Sequence, residues 1–295
     1  MSLNLEEIFK CKNITASSLN LYKTKLNILN DNKPIKNINF LYNIDNIEKK
    51  IKDLKPNTRR TYIIAITSIL SCLNEPSNKP IKKIKKLYED YSKILDKYNT
   101  DLKDQTTITE GTNITTNENI KDIYDKLKEN KDKNKQSYQN YVILSLYYLI
   151  APRRNKDYGY MKYVNNYQND YSDDYNYYDG TKFYFNNYKT RGKYNKQVVD
   201  VPIELKNILD DYIKYNNINN EDFILTNTKS NKPLIGNNNI TTILNRIFGD
   251  KIGSSALRRS YLTNKYGNLQ QELKKDTNAM GTSVEVAQNN YIKKK

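Results

Sequence analysis

The 295-residue sequence contains no histidine and no tryptophan, and it has only two cysteines and nine glycines. Without histidine, the chain lacks the one side chain whose unperturbed pKa lies near neutrality, so proton transfer through an imidazole is excluded. Cys11 and Cys72 do not stand in a Cys-x-x-Cys spacing. We therefore expect neither a zinc site nor a disulfide framework, and we see no ligand cluster for another metal or for a nucleotide cofactor.

Long apolar runs are absent as well. The longest strongly apolar run, residues 142–151, is too short to cross a bilayer as a helix. The first residues, MSLNLEEIFK, are acidic and lack the apolar core of a secretory signal. The sequence therefore predicts an intracellular protein without a membrane partner.

Positive charge is what the sequence has in excess. Lysine and arginine number 49 against 33 acidic residues, which gives a formal net charge of +16. Residues 1–105 hold 20 basic and 12 acidic side chains, and the remainder holds 29 and 21, so each part carries +8. Charge of this size favours a polyanion such as nucleic acid as the partner, although surface lysines can also serve solubility alone.

Asparagine, lysine, isoleucine and tyrosine are heavily used, and all four have AT-rich codons. Base composition therefore explains much of the high number of tyrosines, which is 27. The same bias indicates a virus, a mobile element or a low-GC host as the source.

The chain divides into two parts by composition. Residues 1–105 are predicted to form a helical domain, with apolar periodicity over residues 19–29, 58–73 and 81–98. Residues 106–118 have the polar composition of a linker, and residues 119–295 form the second domain.

The second domain begins with a helical stretch over residues 119–149, which the lysine-rich sequence ENKDKNK interrupts. Residues 159–164 are compatible with a strand, and residues 165–180 are predicted to be a Tyr/Asn/Asp-rich loop. Alternating patterns on either side of residues 190–193 predict a β-hairpin. Helices are expected again over residues 203–215 and 240–248, with two or more to follow.

In the first domain, basic side chains surround the predicted start of the helix at residue 58. A helix N-terminus next to arginines is suited to bind a phosphate group. The equally good alternative is that these side chains at the helix start are only in contact with solvent. The candidates for DNA contact in this domain are Lys52, Lys55, Arg59 and Arg60.

In the second domain, four segments carry basic or phenolic groups suited to chemistry on a phosphodiester. They are APRRNKD at residues 151–157, Lys189 in the hairpin, SALRRS at residues 255–260 and MGTSVEVAQNNY at residues 280–291.

The order and spacing of these segments resemble the catalytic domain of the tyrosine recombinases, the family of phage integrases and site-specific recombinases. The resemblance covers the second domain and extends to the first only in general character. It implies a mainly α fold with a small antiparallel β-sheet. A helical core-binding domain would precede a mixed α/β catalytic domain, and the two would enclose double-stranded DNA.

The family's first arginine lies in an Arg-x-x-Glu/Asp pattern, which Arg154 and Asp157 match, with Arg153 as the alternative. The family's hairpin lysine corresponds to Lys189, although Lys193 and Lys196 compete for the role. By this resemblance Asp157 orients an arginine, and Arg153 contacts DNA.

The family's second arginine follows a His-x-Leu pattern and corresponds to Arg258, with Arg259 as a further DNA contact. Its nucleophile lies nine residues after a second histidine, an interval that Thr282 and Tyr291 reproduce. The resemblance thus implies Tyr291 as the nucleophile.

The implied chemistry needs no metal and no cofactor. Two guanidiniums hold the nonbridging oxygens of the phosphate, a lysine protonates the leaving 5′ oxygen, and the tyrosine forms a covalent 3′-phosphotyrosine. Such enzymes integrate, exchange or resolve DNA, and the resemblance implies self-assembly on DNA from dimer to tetramer, in the cytoplasm or nucleus of a host.

Both histidines of the family pattern are replaced, the first by Ser255 and the second by Thr282. Their hydroxyls can donate hydrogen bonds but do not titrate near neutral pH. Two alternatives therefore stay open beside an active recombinase: a weakened or inactive DNA-binding relative, and an enzyme resembling the type IB topoisomerases.

Overall fold

A computed structural model describes residues 3–74, 82–104, 115–236 and 238–293 of the chain. The chain divides into two compact units, Met1–Gly111 and Thr112–Lys295. Residues 106–114 of the predicted linker lie outside the described residues, and residues 115–118 belong to the second unit.

The described part of the first unit is helical, as its periodicity predicts. Its helices are α1 (Leu5–Phe9), α2 (Ala16–Leu29), α3 (Ile44–Ile51), α4 (Pro56–Leu73) and α5 (Lys82–Asp104), with a 3₁₀ turn at Asn39–Tyr42. Helix α4 is central because its apolar side chains are buried around much of its circumference, including Ile63, Ile66 and Leu70. Helices α1, α2 and α5 pack against α4.

Contrary to the sequence-based expectation, Cys11 and Cys72 form a disulfide. Their Cα atoms are 5.6 Å apart, and 61 residues separate them along the chain. Cys11 follows α1, whereas Cys72 lies in the last turn of α4. Spacing along the sequence gives no sign of this pair because only the packing of α1 against α4 brings the two thiols together.

Reduction of this disulfide is expected to lower the free energy of unfolding of the first unit by about 4 kcal/mol, since a bond that closes a loop of this length restricts the unfolded chain. Hydrogen exchange of the α4 amides with and without reductant measures the effect. A Cys11→Ser/Cys72→Ser variant is the control, because reductant has nothing to act on there. Equal α4 protection of the wild type in both conditions would contradict the prediction.

The second unit packs helices around a small sheet. Its helices are α6 (Asn117–Glu129), α7 (Lys135–Tyr148), α8 (Asn155–Gly159), α9 (Arg191–Tyr194), α10 (Ile203–Asn216), α11 (Asn239–Phe248), α12 (Ser254–Ala279) and α13 (Val284–Val286). A π-helical turn, Ala287–Tyr291, follows α13. The core is centred on α7, which is buried on nearly all sides, and tyrosines such as Tyr147 and Tyr158 fill much of it.

The sheet has four short strands in the order β1 (Met161–Tyr163), β2 (Asn176–Tyr178), β3 (Lys182–Phe185) and β4 (Gln197–Asp200). The predicted hairpin is β3 and β4, which pair antiparallel with Phe183 opposite Val199. Strands β2 and β3 also pair antiparallel, whereas β1 and β2 are parallel. The expected mainly helical fold with a small sheet is confirmed, but the sheet is mixed.

Strand β2 corrects the expectation that residues 165–180 form only a loop. Asn176 in this strand is fully buried, and its amide nitrogen donates to the carbonyl oxygens of Asp157 and Asn187 at 2.8 and 3.0 Å. Its side-chain oxygen accepts from the Asn187 backbone N–H at 2.7 Å. The asparagine thus ties α8 to the end of β3, which are the two segments that carry the candidate site.

Helix α12 is the longest helix in the described residues, and most of its length is exposed. Its first turns pack on the core through Ala256 and Leu257, whereas Leu262, Tyr266 and Leu269 further along lie at the surface. Across the described ranges, no helix combines the length and apolarity needed to cross a bilayer.

Candidate active site

Three segments that are distant in sequence meet at one small pocket of about 280 Å³. They are the α7–α8 connection, the turn between β3 and β4, and the first turns of α12. We call this cavity the arginine pocket; it is lined by Ala151, Pro152, Arg153, Arg154, Asp157, Tyr188, Thr190, Tyr194, Gln197 and Arg258. The structure therefore brings together both predicted arginines and their predicted acidic neighbour.

Asp157 organises the start of α8. Arg154 is the N-cap residue of this helix, and the backbone N–H of Asp157 at the third helical position donates to the Arg154 carbonyl oxygen at 2.9 Å. Asp157 also accepts from Nε of Arg153 at 2.9 Å. Burial raises the pKa of Asp157, although both arginines act in the opposite direction. Its Oδ1 is buried without a hydrogen-bond partner in the described part of the chain.

Arg153 is held on all sides by protein groups. Its Nη1 donates to Oε1 of Gln197 at 2.9 Å, and its guanidinium lies 3.7 Å from the ring centre of Phe185 and 5.0 Å from that of Tyr188. Only 18% of the side chain is exposed. Because its donors and its π face are engaged, Arg153 is placed to support the pocket, which favours Arg154 over Arg153 as the arginine available to a ligand.

Replacement of Asp157 by Ala is expected to lower the free energy of unfolding by about 3 kcal/mol, because it leaves the half-buried Arg153 guanidinium without its counter-charge. Urea denaturation of the second unit measures the loss. Asp200→Ala is the matched control, since that carboxylate pairs with Lys182 at 3.7 Å but is 89% exposed. Equal stability of the two variants would contradict the role of Asp157.

Arg154 and Arg258 face the pocket with unused donors. Neither guanidinium makes a hydrogen bond or an ion pair with a protein group among the described residues. Burial lowers the pKa of Arg258 below its ordinary value, and the positive charge of Arg154 lowers it further. Two neighbouring cations that are partly desolvated and unpaired are stabilised by an anion between them.

The hairpin lysine lies beside the pocket but does not line it. Lys189 is exposed, and its neighbour Thr190 contributes to the lining. The competing Lys196 is paired with Asp173 at 2.8 Å, and Lys193 lies 5.3 Å from the ring centre of Tyr194. Of the three, Lys189 is the one whose ammonium group has no described partner, which keeps it the best candidate for proton transfer.

The remaining predicted site residues lie on α12 and beyond it. Ser255 is exposed in the first turn of α12, three residues before Arg258 and therefore on a neighbouring face. Thr282 and Tyr291 follow the far end of the helix, and Tyr291 is 64% exposed. At 1.5 Å per residue, the helix carries the chain about 33 Å from Arg258 to Met280. The structure does not bring Tyr291 or Thr282 into the pocket of their own chain.

The predicted DNA contacts of the first unit are of two kinds. Lys52 and Lys55 are exposed, whereas Arg59 and Arg60 are half-buried between α4 and α5. Nε of Arg60 donates to Asn99, and the Arg59 guanidinium lies 5.7 Å from the ring centre of Tyr98. The two arginines thus join the helices to each other, and their contact with DNA stays a prediction.

Sequence reasoning did not single out Phe185, Tyr188 and Gln197, which hold Arg153. They come from β3, its end and β4, and no pattern in their neighbourhood marks them as partners of an arginine. No group of three or more His, Cys, Asp or Glu side chains among the described residues is arranged to hold a metal ion.

No protein-family model matches the chain, and no curated protein matches it. A solved structure, the crystal structure of XerA recombinase, is similar over 96% of this chain and 90% of that chain. The two sequences are 12% identical, and the TM-score is 0.37. Similarity at this level supports no assignment, so the function is argued below from the pocket and the motifs.

Proposed function

We propose that this chain is a DNA strand-breaking and rejoining enzyme of the tyrosine recombinase type. The observation that carries the proposal is the arginine pocket, in which Arg154 and Arg258 present unpaired guanidiniums to one small cavity. A phosphodiester fits this arrangement because each of its nonbridging oxygens can accept charge-assisted hydrogen bonds from an arginine. The net charge of +16 supplies the attraction to duplex DNA.

In the proposed reaction, the hydroxyl of Tyr291, which is 64% exposed, gives its proton to water, and its Oη attacks the phosphorus. The bond from phosphorus to the 5′ oxygen breaks, and a 3′-phosphotyrosine forms. Arg154 and Arg258 stabilise the extra negative charge of the pentacoordinate transition state. Lys189 gives its proton to the leaving 5′ oxygen, which becomes a free hydroxyl. Rejoining reverses these steps with the same or another DNA end, because the covalent bond conserves the energy of the phosphodiester.

Asp157 and Arg153 position the pocket without touching the phosphate. The backbone N–H of Asp157 binds the Arg154 carbonyl oxygen at the start of α8, and the Arg153 guanidinium fills the space between Phe185 and Gln197. By the resemblance, Ser255 and Thr282 occupy the positions of the two family histidines. A hydroxyl at either position can donate a hydrogen bond but does not titrate near neutral pH.

A second candidate function is DNA binding without turnover. It is favoured by the absence of histidine and by the position of Tyr291 outside the pocket of its own chain. In that case the pocket binds the DNA backbone and no covalent intermediate forms. A topoisomerase-like activity is the third possibility, since it uses the same chemistry but rejoins the original ends.

A nicked suicide substrate tests the proposal, because the short 5′ fragment diffuses away after cleavage and traps the intermediate. A protein–DNA adduct that survives denaturing electrophoresis is the expected result. DNA binding without an adduct would favour the non-catalytic candidate. Exchange of strands between two labelled duplexes, compared with relaxation of a supercoiled plasmid, then separates a recombinase from a topoisomerase-like enzyme.

A further inference from the structure

One side of α12 carries an exposed apolar row. Leu262, Tyr266 and Leu269 are 54%, 46% and 62% exposed, and Leu273 continues the row. The spacing of four, three and four residues is that of the a and d positions of a coiled coil, so the four side chains lie in one line along the helix. We call these four residues the α12 row. Soluble monomers rarely expose an apolar strip of this length, which indicates that the row has a partner.

The residues at the two ends of the row identify that partner. Arg259 and Asp276 occupy the next positions of the same heptad line, one before Leu262 and one after Leu273. Both are exposed, and neither forms an ion pair within the described residues. The line therefore has a positive end, an apolar middle and a negative end. Such a surface is complementary to itself when two copies run in opposite directions.

We propose that α12 pairs in antiparallel orientation with α12 of a second copy of this chain. The register whose midpoint lies between Gly267 and Asn268 places Leu262 against Leu273 and Tyr266 against Leu269 of the other copy. It also places each Arg259 against an Asp276. A parallel pair would instead set like charges against each other at both ends, which disfavours it.

This pairing has a consequence for the active site, which rests on the proposed function. Gly281, at φ +68°, ends the turn after α12, and Ser283 is extended, so residues 281–291 can return along the helix by about 20 Å at most. Because Met280 lies about 33 Å beyond Arg258, Tyr291 stops about 13 Å or more short of its own Arg258, measured between Cα positions along the axis. The Arg258 side chain also leans towards the helix N-terminus, away from Tyr291.

In the antiparallel pair the far end of one α12 lies beside the near end of the other. Arg258 of one copy then stands opposite Thr277 of the second copy. Thr277 and Ala287 are buried, at 1% and 4% exposure, and α13 contacts α12, so the segment that carries Tyr291 packs on this end of the helix. Each copy thus delivers its Tyr291 to the arginine pocket of the other, and the site is incomplete in a single chain.

The self-association is tested by sedimentation velocity on the full chain without DNA. We expect a dimer for the wild type and a monomer for Leu269→Glu, which places a charge in the middle of the row. The variant should fold, because Leu269 is exposed in the single chain. Gln271→Glu is the matched control, because it adds the same charge two residues away on the exposed opposite side and is expected to stay dimeric. A monomeric wild type, or a dimeric Leu269→Glu, would overturn the pairing.

The orientation is tested by charge exchange and by cross-linking. Asp276→Arg is expected to weaken the dimer, and Arg259→Asp combined with Asp276→Arg to restore it. When Leu262→Cys and Leu273→Cys variants are mixed and oxidised, the antiparallel register forms the disulfide between the two different variants. Disulfides that form only within each variant preparation would show a parallel pair and refute the proposed register.

Delivery of Tyr291 to the other copy is tested by mixing Arg258→Ala with Tyr291→Phe on the suicide substrate. Each variant alone lacks one half of every site. In the mixed dimer, the intact pocket of the Tyr291→Phe copy receives Tyr291 from the Arg258→Ala copy, so an adduct is expected on the Arg258→Ala chain, which a size tag identifies. No adduct in the mixture, while the wild type forms one, would show delivery within one chain. No adduct with the wild type would instead count against the proposed function and leave the dimer tests standing.

Discussion

Replacement of Tyr291 by Phe is expected to abolish the covalent protein–DNA adduct while DNA affinity stays unchanged. The substitution removes one hydroxyl from a ring that is 64% exposed, so the fold loses no buried contact and the free energy of unfolding should change by less than about 0.5 kcal/mol. The chemistry loses its nucleophile entirely, because no carbon of the phenyl ring can attack phosphorus. Adduct yield on the suicide substrate and a fluorescence-anisotropy titration measure the two properties separately.

Tyr215→Phe is the control for this experiment, since Tyr215 is 42% exposed on α10 and lies outside the arginine pocket. It should form the adduct at the wild-type level. If the adduct persists in Tyr291→Phe, another of the 27 tyrosines is the nucleophile. Digestion of the trapped complex and mass spectrometry of the DNA-linked peptide would then identify it.

Conversion of Arg258 or Arg154 to Lys is expected to slow adduct formation by about 10²–10³-fold, because each removes a donor pair that acts on the transition-state charge. Lysine keeps the positive charge but loses the planar fork that binds two oxygens at once. DNA affinity should fall only slightly, since the other basic side chains supply most of the phosphate contacts. Single-turnover rates at saturating protein measure the effect on the chemical step.

Arg153→Lys distinguishes the two neighbouring arginines. Its guanidinium stacks on Phe185 and binds Asp157 and Gln197, so we expect this variant to lose stability first and activity only as a consequence. Arg246→Lys on α11 is the neutral control, because that arginine is exposed and lies outside the pocket. A stable Arg153→Lys with the full rate defect, beside a fully active Arg154→Lys, would exchange the roles of the two residues.

The candidate site was predictable from sequence in part. The motif around Arg154 and the Leu-Arg step at Arg258 identify two groups that the structure places in one pocket, and Asp157 lies beside them as expected. The assignment of Asp157 to a particular arginine was not predictable. The family pattern links it to Arg154, whereas its side chain binds the guanidinium of Arg153, and only its backbone N–H donates to Arg154. Side chains of neighbouring residues point in different directions. The packing of the β3–β4 hairpin therefore decides which of the two arginine side chains Asp157 binds.

The sequence by itself determined the features that depend on neighbours along the chain. Apolar periodicity predicted α4 and α10, alternation predicted the β3–β4 hairpin, and composition determined the basic charge. Each of these features depends only on residues within one helical turn, on residues within one strand, or on a count of residue types. Contacts between distant residues were decided only by the tertiary structure. The Cys11–Cys72 bond, strand β2 anchored by Asn176, and the exposure of the α12 row depend on which surfaces the folded chain covers. The distance between Arg258 and Tyr291 belongs to the same group, since the motifs give their order but the length of α12 sets their separation.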